Sequence, residues 1–242
     1  MNEQNQNMKW LPKLLFAYSI CSLFLGCNPE QTLPYYVDNP STKQINYLAL
    51  GDSYTIGQGV CTSCRFPEQL KTRLQATYTT NPFLLQVIAK TGWTTTNLIS
   101  EINLANPSTN FDLVTLLIGV NNQYQNKPFS LYEQEFPALV EKAIQLAKGD
   151  KRNVIVVSIP DYAYTPYGQG SSTISSQIND YNTFAQNYCS QNQIEFVYIT
   201  DITQQGLSNP ALVAADGLHP SELAYAQFVE RILSKAISIL AN

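Results

Sequence analysis

From Ile45 onward, short apolar runs alternate with longer stretches in which apolar residues recur every three or four positions. The runs Asn46–Leu50, Leu84–Ala89, Leu113–Ile118, Val154–Ile159 and Glu195–Ile199 predict five strands. Four are continuously apolar or nearly so, the pattern of strands covered on both faces of a parallel sheet. Helical spacing over Pro67–Tyr78, Thr95–Ala105, Leu131–Lys148 and Ser175–Gln191 predicts the intervening helices. A last helix over Ser221–Ala241 follows, with Ser221 placed to cap it. This alternation, with no internal repeat, predicts one doubly wound α/β domain over 44–242. Ligands of such sheets bind beyond the carboxyl ends of the strands. Functional residues should therefore fall just after strands.

The N-terminal stretch has a different pattern. Lys9 and Lys13 flank the start of an apolar run from Leu14 to Leu25. As a helix, about 12 residues rise only about 18 Å, short of a bilayer core of about 30 Å. Residues 1–26 therefore read as a signal peptide that is removed, not as a membrane span. The run ends in Phe24-Leu25-Gly26-Cys27, which resembles the lipobox of bacterial lipoproteins, although Phe24 departs from the usual leucine. The resemblance implies that Cys27 is lipidated and becomes the new N-terminus. Residues 27–43 then form a Pro- and Asn-rich tether. The protein is expected to be exported and held to a membrane by its lipid alone, in the periplasm or at the cell surface.

Composition narrows the chemistry. The chain has 242 residues, 13% of them charged, and a formal net charge of -4. An acidic balance speaks against nucleic acid as partner. There is one histidine in the whole chain, so any imidazole chemistry must use His219.

Four short segments stand where ligands should bind. Gly51-Asp52-Ser53-Tyr54 follows the first strand, and a serine at such a turn presents its hydroxyl on a rigid edge; it could equally be a helix cap. Gly92 follows the second strand, where glycine lets a backbone N–H approach a ligand, or simply makes a turn. Gly119-Val120-Asn121-Asn122 follows the third; an asparagine amide there can donate to a developing oxyanion, yet asparagines are also ordinary turn formers. Asp216-Gly217-Leu218-His219-Pro220 precedes the last helix and puts a carboxylate three residues from the sole imidazole.

Together and in this order, the four segments resemble the GDSL-type esterases of the SGNH hydrolase superfamily, over roughly Ile45 to Leu240. The resemblance implies a flavodoxin-like three-layer α/β/α sandwich around a five-stranded parallel sheet. It makes Ser53 the nucleophile, His219 its base and Asp216 the partner of that base. The N–H groups of Ser53 and Gly92 and the Asn121 amide become the oxyanion hole of a two-step acyl transfer. No metal or organic cofactor is implied. Where the family usually has Gly-x-Asn-Asp, this chain has Asn122 in place of the aspartate.

The segment Pro160–Gly168, with Tyr162, Tyr164 and Tyr167, follows the fourth strand and should line the same edge; with Tyr54, Trp93 and Tyr124 it could form an aromatic wall around the substrate. Asp52 and Asn122 are assigned to substrate binding with them. The expected substrate is a small-molecule, lipid or glycan ester; a carboxylesterase or lipase and a carbohydrate O-acetyl esterase remain open, as does a non-catalytic binding lipoprotein. The protein is expected to act as a monomer. Cys61-Thr62-Ser63-Cys64 could be a redox pair or half a metal site. With no second pair or nearby histidine, and in an exported protein, a structural disulfide fits best. Cys189, within a helical apolar pattern, reads as a buried free thiol.

Overall fold

The computed structural model describes residues 43–241. The signal, Cys27 and all of the tether except Lys43 lie outside the described residues. The strands are β1 (Ile45–Gly51), β2 (Phe83–Ala89), β3 (Leu113–Leu117), β4 (Val154–Val157) and β5 (Glu195–Val197). They form one sheet in the order β2-β1-β3-β4-β5, with every pairing parallel. The eight α-helices among the described residues are α1 (Ser53–Ile56), α2 (Phe66–Thr77), α3 (Thr95–Ala105), α4 (Val120–Tyr124), α5 (Phe129–Leu146), α6 (Ser172–Asn192), α7 (Thr200–Thr203) and α8 (Glu222–Leu240).

Every residue of β3 and β4 is buried, which is why those segments are continuously apolar. Helices α2 and α8 pack together on one face, while α3, α5 and α6 pack in series on the other. The result is the three-layer sandwich with five parallel strands that the family implies. Ser221 accepts from the Ala224 N–H and starts α8, as its sequence position suggested.

Strand ends differ by up to two residues from their apolar runs. Strand β4 stops at Val157 although Ile159 is buried, because side chains take over the backbone partners there. The Ser158 hydroxyl accepts from the N–H groups of Ile199 and Thr200, and the Asn182 amide bonds both backbone groups of Ile159. Helices α1, α4 and α7 were not foreseen. Each has four or five residues, too few to display a period of 3.6.

Candidate active site

Register brings the first three segments together. Gly51, the last residue of β1, pairs with Ala89 at the end of β2 and with Leu117 at the end of β3. Three chain segments therefore leave the sheet at one level, carrying Ser53, Gly92 and Asn121. The strand order reverses direction between β1 and β3, and such a switch point opens a crevice at the carboxyl edge.

Ser53 is held by its neighbours on either side. A Cβ at Gly51 would lie 2.4 Å from the Leu117 carbonyl, so only glycine lets β1 turn this close to β3. Asp52 then accepts from the Tyr54 N–H at 3.0 Å and caps α1. Ser53 is the first residue of that helix, where the N–H has no intrahelical partner. Its hydroxyl makes no hydrogen bond among the described residues, an arrangement common before substrate binds.

The Gly92 loop is pinned from three directions. Gly92 has φ +85, in the left-handed region that suits glycine. Gln125 donates to its carbonyl at 2.8 Å, and Thr91 bonds to Gln58 at 2.9 Å. The Asn121 amide donates to the Trp93 carbonyl at 3.0 Å, which ties α4 to this loop. Thr94 and Asn97 close a capping box that starts α3 directly behind it.

Asp216 and His219 share one tight loop. His219 Nδ1 lies 2.7 Å from Asp216 Oδ2, while Asp216 Oδ1 accepts from the backbone N–H groups of Leu218 and His219 at 3.0 Å each. Burial works to raise the Asp216 pKa, but the His219 N–H, the imidazole and the Leu218 N–H together hold it below the ordinary value. The loop's base is closed by hydrogen bonds from Ala214 N–H to the His219 carbonyl and from Ser221 N–H to the Leu212 carbonyl. The imidazole stands edge-on to the ring of Tyr54, with centroids 5.7 Å apart. The loop is thus docked against the residue next to Ser53.

The residues assigned to substrate binding divide by burial. Asp52 and Asn122, expected to bind substrate, are fully buried. Burial pushes the Asp52 pKa up to about 7, eased by the Tyr54 N–H and by the neighbouring Asn121 amide. Its Oδ2 has no hydrogen-bond partner of good geometry. Asn122 accepts from the Thr95 N–H at 2.9 Å and donates to the Thr95 hydroxyl at 2.6 Å, which in turn donates a hydrogen bond to Glu135. An amide can both accept and donate here; a carboxylate could only accept. Tyr54 and Tyr162 are buried as well, the latter donating to Gln123 at 2.8 Å. Trp93 and Tyr164 are half-buried. Tyr124 is 48% exposed, and its hydroxyl meets that of Tyr167, 52% exposed, at 2.7 Å. Gln58, Gln123 and Gln125 were not singled out from sequence, whereas Tyr167 belongs to the Pro160–Gly168 segment expected to line this edge. Gln125 alone had a local signal, lying four residues after Asn121.

Cys61 and Cys64 are joined by a disulfide beyond α1, and Cys189 is a buried free thiol. Among the described residues, no group of three or more His, Cys, Asp or Glu side chains is placed to hold a metal ion.

The sequence profile of the GDSL-like lipase/acylhydrolase family matches residues 49–227. No curated protein matches the chain by sequence. Among solved structures, it is similar to TesA at 17% identity and a TM-score of 0.63, covering 81% of this chain and 99% of that one. A lipase from a goat rumen metagenome matches at 19% identity and a TM-score of 0.65, covering 79% and 97%. A variant of an acetyl xylan esterase from Geobacillus stearothermophilus matches at 19% identity and a TM-score of 0.60, covering 81% and 95%. At these identities the likeness concerns the fold alone.

Proposed function

The chain belongs to the GDSL-like lipase/acylhydrolase family and is a carboxylic ester hydrolase, and from this premise we propose that it works through an acyl-enzyme on Ser53. The single observation that carries the reading is the 2.7 Å contact of Asp216 with the Nδ1 of the only histidine, in a loop docked on Tyr54. With Nδ1 engaged by the carboxylate, Nε2 is left to accept the Ser53 proton as the hydroxyl attacks the ester carbonyl. The carbonyl π electrons move onto oxygen, and the tetrahedral oxyanion is met by the N–H groups of Ser53 and Gly92 and by Asn121 Nδ2. His219 returns its proton to the departing alcohol. Water then attacks the acyl-enzyme by the same route, releasing the acid and restoring the serine. The ordinary value from which Asp216 is lowered is itself acidic, so its carboxylate is ionised at neutral pH and opposes the charge that forms on the imidazolium.

Ser53→Ala tests this directly. It should abolish hydrolysis of p-nitrophenyl acetate and labelling by a fluorophosphonate, while the thermal unfolding midpoint stays within a few degrees. Retained turnover or retained labelling would refute the assignment.

We also propose that the domain is tethered to a membrane through lipid on Cys27. The Phe24-Leu25-Gly26-Cys27 run after the apolar stretch supports this reading, and among the described residues no helix is long and apolar enough to cross a membrane. Cys27→Ala should then move the protein from the membrane fraction to the soluble fraction.

A further inference from the structure

Beside Ser53's edge of the sheet, between α4, the start of α5 and α6, runs a groove of about 600 Å³. That volume falls within the range of ligand clefts, roughly 300–1,000 Å³. Its floor is aromatic: Phe129 and Phe184 are half-buried, and Tyr181 packs edge-on against Phe129 with centroids 4.9 Å apart. Its rim is carboxamide-rich, formed by Gln123, Asn126, Gln177 and Asn187.

The hydrogen bonding of this lining is incomplete. Gln123 donates to Gln177 at 2.7 Å, but the Gln177 amide nitrogen and the side chains of Asn126 and Asn187 make no hydrogen bond among the described residues. Tyr181 is buried in the floor and its hydroxyl has no partner. The rim carries one Lys127 and one Asp180, so its formal charges cancel.

From these observations we propose that the groove binds a neutral oligosaccharide. Aromatic rings present apolar faces to the C–H faces of pyranoses, and carboxamides offer both donor and acceptor to sugar hydroxyls. A balanced rim gives no field to favour a polyanion. Nor does its polar edge suit an acyl chain, which would leave those amides unsatisfied.

Bonded contacts link the lining of the groove to the site described above. Helix α4 carries both Asn121 and Gln123, two residues apart. Tyr162, hydrogen-bonded to Gln123, stands edge-on to Tyr124 with centroids 6.0 Å apart, and Tyr124 meets the exposed Tyr167. Tyr167 in turn donates its N–H to the Gly217 carbonyl, inside the Asp216–His219 loop. A chain seated in the groove would extend past exposed tyrosine rings toward Ser53. The consequence that an ester on that chain is the substrate rests on the ester-hydrolase mechanism proposed above; the binding itself does not.

Two measurements test the proposal. In the full chain carrying Ser53→Ala, isothermal titration is run with xylohexaose, cellohexaose, mannohexaose and, as a charged control, oligogalacturonate. At least one neutral hexaose should bind, and Thr183→Trp or Asn187→Ala, both exposed groove positions on α6, should weaken that binding by about five-fold or more. In the active enzyme, Thr183→Trp should leave turnover of p-nitrophenyl acetate unchanged and raise KM for an acetylated oligosaccharide of the same sugar, with kcat kept. Absence of binding by every neutral hexaose, preference for oligogalacturonate, or groove variants that bind as the parent does would each overturn it. If groove variants lose hexaose binding while the unmutated protein cleaves no ester, the proposed mechanism fails and the groove stands.

Discussion

His219 meets Asp216 twice, through its ring Nδ1 to Oδ2 at 2.7 Å and through its own backbone N–H to Oδ1 at 3.0 Å. The second bond fixes the carboxylate so that the first can select the tautomer. Asp216→Asn keeps an acceptor for the two backbone N–H groups but can turn an N–H toward the imidazole, leaving the wrong nitrogen to face Ser53. Turnover of p-nitrophenyl acetate should fall by about 10⁴-fold, the scale of a wrong-tautomer effect. The unfolding midpoint should barely move. A variant with more than about a tenth of the parent's kcat would show that the pair does not orient the base.

Gly59 lies outside the four segments yet sets the space for Asp216. A Cβ built there would stand 2.7 Å from Asp216 Oδ2, and φ is +86. Gly149 has φ +72 with nothing within 4 Å of such a Cβ. Both alanine variants should pay the left-handed backbone cost of about 1 kcal/mol. Only Gly59→Ala should also lower kcat, because relief of the clash moves the carboxylate away from His219. Equal activity in the two variants would argue against any role for Gly59 beyond its backbone conformation.

The inner strands β1, β3 and β4 were legible because burial on both faces writes itself as apolar runs, as in Val154–Val157, while the edge strands β2 and β5 are only partly buried. Ser53, Gly92 and Asn121 were legible for a related reason: each sits a few positions after such a run. What could not be read depends on distant partners. Nothing local marks Asp52 and Asn122 as fully buried, since the atoms that cover them come from segments far away in sequence. The Gln125 and Gln58 anchors reach a loop 33 residues distant. Strand ends were misplaced at Ser158 and Ile159 because a distant Asn182 stands in for the ladder.

Asp52 gives the protein a pH dependence of unusual sign. An ordinary aspartate loses its proton near 3.8, whereas burial holds this one until about 7. Between those values the folded chain binds a proton that the unfolded chain has released, so this group's contribution to stability falls as pH rises. The carboxylates with lowered pKa, such as Asp216 and Asp112, act the opposite way but only at and below their ordinary acidic range. Asp52→Asn removes the effect while keeping an acceptor for the Tyr54 N–H. Relative to the parent, the variant should gain stability between pH 5 and pH 8, by about 2.5 kcal/mol at the upper bound. Urea unfolding at both values checks it, and a parent–variant difference that does not change with pH would refute the buried protonated state.

The cysteines should separate into two classes on alkylation. Cys61 and Cys64 lie in an exposed loop and are disulfide-bonded, so iodoacetamide should leave both unmodified until a reductant is added. Closing so short a loop contributes only about 2 kcal/mol in the chain-entropy account, and the reduced protein should remain folded. Cys189 is fully buried, and burial pushes its thiol up to about 12. With little thiolate and no access, it should resist the reagent even after reduction. Among the cysteines of the described residues, peptide mapping should therefore find Cys61 and Cys64 modified after reduction of the folded protein and Cys189 modified only in denaturant. Modification of Cys189 in the folded state would mean that α6 opens from the sheet far more readily than its packing implies.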